Sequence, residues 1–144
     1  MKGFFGTQAG FNSDLSLILS IGFLVMGLVA FFQARHRKFK PHATLMAWAV
    51  LLNWIPIVAV MIPVFLSIAQ GHLRLTTGPL ATMPIVHGIL GLITQLVMTY
   101  TVIRLKWAKR WPPRRTRVLM RVALILWVVT TLGGFVLYFA AFIL

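Results

Sequence analysis

Residues 42–65 read HATLMAWAVLLNWIPIVAVMIPVF. The stretch holds no Lys, Arg, Asp or Glu. It is longer than the roughly 20 helical residues needed to cross the hydrocarbon core of a bilayer. His42, Met46, Ala49, Asn53, Pro56 and Val60 recur at alternating steps of four and three, which places them on one face of a helix. Asn53 falls near mid-membrane, and Pro56 and Pro63 each remove a backbone donor. The pattern predicts a membrane helix around which others pack, with Asn53 bonding across the bundle and the prolines shaping the helix.

Outward from this stretch, three further apolar runs appear, giving four spans at about 14–34, 43–68, 80–104 and 118–143. The runs are continuous rather than alternating, and a membrane barrel would need about 8 alternating strands. The chain of 144 residues is 60% hydrophobic, with a mean hydropathy of +0.92. The expected fold is a single membrane domain over 1–144, an antiparallel bundle of four transmembrane helices with short links. The first run carries only Lys2 before it and a basic cluster after it, the reverse of a cleaved signal peptide.

A formal net charge of +13 would suggest nucleic acid in a soluble protein. Here the charges sort by link. Arg35, Arg37, Lys38 and Lys40 fall between the first two spans. Arg104, Lys106, Lys109, Arg110, Arg114, Arg115, Arg117 and Arg121 fall between or flank the last two. Only Lys2 and Arg74 lie on the other side. The positive-inside rule then predicts a multi-pass protein of the cell's inner (plasma) membrane, with cytoplasmic basic links and both termini outside. The expected contacts of Arg35, Arg37, Lys38, Lys40, Lys109, Arg110, Arg114, Arg115 and Arg117 are anionic lipid headgroups or an acidic partner, and not nucleic acid.

Cysteine is absent, which excludes disulfides, thiolate metal sites and cysteine nucleophiles. Asp14 is the one carboxylate side chain, which excludes a paired-carboxylate mechanism. With Asn12 and Ser13 before it, Asp14 reads as a cap or dipole partner at the start of the first helix. The glycines Gly22 and Gly27 there suggest close helix approach. No phosphate-binding loop, dinucleotide fingerprint or nucleophile elbow occurs.

The histidines remain. His42 reads as a cap on the second helix at headgroup level, and His36 as solvated. His87, Gly91 and Gln95 form a polar-and-small stripe on the third span, and Thr131, Gly134 and Tyr138 share a face of the fourth. A haem b pocket in a bundle needs an axial imidazole and small residues beside it. His87 fits the first role, with His72 or Met61 as second ligand; Met83 is closer in sequence. A copper site of His and Met, or a structural His87 bonded to a partner such as Thr94, are the alternatives.

Residues His42, Leu45, Met46 and Ala49, together with Arg121, Trp127, Thr131, Gly134 and Tyr138, carry a resemblance. Over about 35–144 the chain resembles a family of small bacterial four-helix membrane proteins, some tied to haem–copper cytochrome c oxidase biogenesis (the CtaM/YozB type). His72 and His87 fall where that family places histidines at the outer end of the second helix and in the third. The family's histidine before the fourth helix is missing, with Thr116 near its place. The resemblance implies a non-catalytic accessory or assembly subunit of a respiratory or other energy-converting membrane complex. The alternative is a b-type haem electron carrier.

Overall fold

The computed structural model describes residues 5–6, 9–71, 82–105 and 113–143. Four helices account for nearly all of them: α1 Phe11–Arg35, α2 Phe39–Ala69, α3 Met83–Ile103 and α4 Pro113–Phe142. No strand occurs among the described residues. Each helix is long and apolar enough to span a membrane, and the fold is an all-α four-helix membrane bundle. His72, Lys109 and Arg110 lie outside the described residues, as does the side chain of Arg114.

α1 packs on α2 and α4, and α3 packs on the same two helices, so the helices form a ring in chain order. Neighbours are antiparallel. Gly27 meets Trp127 while Asp14 meets Tyr138 near the other end of the same pair. Outward positions such as Ile18, Val25, Ile55, Val58, Leu96 and Val136 are exposed and apolar, as a lipid-facing surface requires.

The helix boundaries extend beyond the apolar runs where polar residues tolerate a helical backbone. α4 begins at Pro113 rather than 118, because proline suits a first turn and the arginines that follow are good helix formers. α2 begins at Phe39 rather than 43, with Pro41 in its first turn. The turn between α1 and α2 is tight. Arg37 N–H donates to Ala34 O and Lys38 N–H to Gln33 O, at 3.0 and 2.9 Å. These are the paired bonds of a helix stop whose left-handed position normally favours glycine. Arg37 occupies that position with φ 60°.

The predicted inner face of α2 is the observed one. Ala49 and Pro56 are buried and His42, Met46, Asn53 and Val60 half-buried, whereas Trp48, Leu51, Ile55 and Val58 are exposed. The prolines do reshape the helix. Ile57 N–H bonds to Trp54 O, a tightened turn, and Ile57–Met61 then widens into a π-turn in which Ile62 N–H reaches Ile57 O. Without N–H groups at 56 and 63, the ladder cannot keep a constant step there.

Packing is uneven along the bundle. Phe23, Ala49, Val50, Met98, Ala123 and Trp127 form a close core in its middle. Gly27 admits the Trp127 ring: a Cβ there would stand 2.5 Å from Trp127 Cζ3. Gly22, expected to serve the same purpose, is instead exposed with nothing within 4 Å of a Cβ. Its place on the helix turns it outward.

Two outcomes follow from this packing. Gly27→Leu should lower stability by about 1–3 kcal/mol through overpacking against Trp127, while Gly22→Leu should leave it nearly unchanged. Arg37→Gly should raise stability by about 1 kcal/mol by removing the left-handed penalty. Thermal unfolding of detergent-solubilised variants measures both.

Candidate functional site

The polar side chains inside the bundle are mostly occupied with one another. Asn53 Nδ2 donates to Gln95 Oε1 at 2.9 Å, and Gln95 Nε2 donates to Val50 O at 2.8 Å. This is the cross-bundle bond predicted for Asn53, and it also places a donor on a carbonyl just before the break in α2. Trp54 Nε1 donates to Thr99 Oγ1 at 3.1 Å. Thr94 and Thr130 join α3 to α4 through their hydroxyls, 3.1 Å apart, and Thr130 donates to Leu126 O.

Two expectations are corrected at the helix ends. Asp14 does not cap α1, since the residue at the N-cap is Gly10 and no side chain bonds there. It does lie in the first turn, at the positive end of the helix dipole, as the other reading held. There it is fully buried and accepts from the Tyr138 hydroxyl and from Phe5 N–H. A carboxyl group turned into the bundle must find donors from other segments, and the aligned face of α4 supplies one. His42 does not cap α2 either. Its Nδ1 donates to Ala30 O of α1 at 2.7 Å, because the tight turn brings the end of α1 within reach. Gln33 Oε1 is the buried side-chain oxygen without a partner among the described residues.

Beyond the close core, toward the end of the bundle that carries Asp14 and Tyr138, lies a cavity of about 460 Å³. All four helices line it. α1 contributes Ser16 and Ser20; α2 contributes Val60, Met61 and Phe65; α3 contributes His87 and Gly91; α4 contributes Thr131, Gly134 and Tyr138. The stripe of His87, Gly91 and Gln95 and the face of Thr131, Gly134 and Tyr138 thus converge as the spacing predicted. Met61 borders the same cavity as His87. The altered backbone of α2 forms one wall, so Val60 and Met61 take positions that a regular helix would not give them.

His87 is half-buried and packs against the glycine pair of α4. A Cβ at Gly134 would lie 3.1 Å from His87 Cε1 and 3.5 Å from Nε2, and one at Gly133 would lie 3.6 Å from Nδ1. Among the described residues neither ring nitrogen has a hydrogen-bond partner. Thr94, a partner considered for it, bonds Thr130 instead. His42 does not border the cavity, in keeping with its place at the opposite end of the bundle.

Asp14 and Trp127 were not marked as site residues by sequence reasoning. The usable signal was that the sole acidic residue starts one span while Tyr138 lies near the end of another. In an antiparallel bundle those positions meet. Tyr138→Phe should cost about 1–3 kcal/mol, since it leaves the buried Asp14 carboxyl short of a donor. Removing both partners, as in Asp14→Leu with Tyr138→Phe, should recover part of that loss. A double-mutant cycle on thermal unfolding measures the coupling. The chain matches no family model, no curated protein and no solved structure with which it was compared.

Proposed function

We propose that the protein is a non-catalytic accessory or assembly subunit of a respiratory or other energy-converting membrane complex. Its basic links face the cytoplasm at the inner (plasma) membrane. The observation that carries this reading is the division between its inner and outer surfaces. Inside, Asn53, Gln95, Thr94, Thr130, Asp14 and Tyr138 are engaged in joining helices. Outside, the bundle presents an apolar belt along its length and exposed Arg35, Arg37, Lys38, Lys40, Arg115 and Arg117 at one end. The apolar belt suits docking against other membrane helices, and Gly22 leaves a notch in it where another helix can approach closely. The basic end suits anionic headgroups or an acidic subunit surface.

Haem b on His87 is the second reading, favoured by the cavity that His87 and Met61 share. The side-chain arrangement does not fit it. Haem b carries two carboxylates, and the cavity offers no Lys or Arg among the described residues to neutralise them. No chemistry is therefore assigned to the group.

Three measurements test these statements. On native gels of gently solubilised membranes, the protein should co-migrate with a much larger complex; migration only as a free monomer overturns the accessory reading. The chain holds no cysteine, so single Arg37→Cys and Gly71→Cys variants can report orientation. An impermeant thiol reagent should reach position 37 only from the cytoplasm and position 71 only from outside. Protein made with haem available should show no α band in a reduced-minus-oxidised spectrum.

A further inference from the structure

We propose that the cavity beside His87 binds an uncharged, lipid-soluble molecule carrying a carbonyl or hydroxyl oxygen on an apolar frame, with His87 as its main hydrogen-bond partner. This goes beyond the docking role and does not depend on it. At about 460 Å³ the cavity falls within the size range of small-molecule sites, roughly 300–1,000 Å³. Its lining is overwhelmingly apolar and includes no Lys or Arg among the described residues. It includes no Asp or Glu among them either; the carboxyl of Asp14, outside the lining, is bonded to Tyr138 and Phe5. A charged ligand would have no counter-charge there.

The polar groups left over select the ligand further. Asn53, Gln95 and Thr130 border the cavity but are engaged in bonds between or within helices. The imidazole of His87 and the hydroxyls of Thr131 and Ser16 border it with no hydrogen-bond partner among the described residues. They come from three helices and converge on one space, the arrangement that orients a ligand in an otherwise apolar pocket. A lipid acyl chain would fill the volume but leave all three unpaired, which is unfavourable away from water. A ligand oxygen satisfies His87, whose neutral ring offers one donor and one acceptor and so accommodates a carbonyl or a hydroxyl. The π-turn at Ile57–Met61 widens α2 along this wall, and such turns are frequent at functional sites.

The test uses the full chain in detergent, with a decyl-substituted benzoquinone and decylbenzene as probes. Native mass spectrometry reads the fraction of protein carrying each adduct as the probe concentration rises. The benzoquinone should give a saturable one-to-one adduct, and decylbenzene should bind about tenfold more weakly or less. His87→Leu should weaken the benzoquinone about tenfold and leave decylbenzene unchanged, with His87→Gln intermediate. Thermal unfolding checks that each variant is folded, and Thr131→Val provides a second, smaller loss if His87→Leu is not. Equal binding of the two probes, a phospholipid adduct that the benzoquinone does not displace, or no adduct at all would overturn the proposal.

Discussion

In a bilayer a polar side chain that faces inward has no water to turn to, so bonding to another helix is strongly favoured. That constraint organises this bundle. Each of its four interfaces carries at least one side-chain bond. His42 reaches Ala30 between α1 and α2, and Asn53 and Trp54 reach Gln95 and Thr99 between α2 and α3. Thr94 meets Thr130 between α3 and α4, and Tyr138 meets Asp14 between α4 and α1. Individually such bonds contribute on the order of 0.6–2 kcal/mol. Together they fix the register of every pair, which uniformly apolar faces in an apolar solvent would specify poorly.

The second helix shows how one local irregularity propagates. Pro56 and Pro63 cannot donate to the preceding turn, so the ladder tightens and then widens between them. Gln95 supplies a donor to Val50 O beside the break. On one side of this point the helices close on Phe23, Met98 and Trp127. On the other they part around the cavity that His87 borders. The compact part and the open part of the bundle are therefore linked through the same short segment of α2.

Much of this was legible from the chain alone. Four runs of sufficient length and hydropathy dictate four helices. The three-and-four spacing on α2, the stripe from His87 to Gln95 and the face from Thr131 to Tyr138 dictate which sides turn inward. Asn53, polar and mid-span, had to find a partner. Less legible were the roles of Asp14 and His42, because a residue at a helix end can serve its own helix or a neighbour with equal chemistry. Capping is the local solution, and here tertiary contact offered a better one in both cases. Gly22 and Gly27 illustrate the same limit: their residue type is identical, and only one faces another helix.

The sequence by itself determined the class of the protein, its four spans, the inward faces and the segregation of its basic residues. These follow from periodicity and from the transfer cost of polar groups, which are properties of residues one helix at a time. The tertiary structure decided which donor meets which acceptor, that Gly133 and Gly134 receive the His87 imidazole, and that a cavity opens beside it. Those features depend on the rotation and separation of whole helices, set jointly by all four interfaces and by the altered turns of α2. No single stretch carries that information, not even residues 42–65.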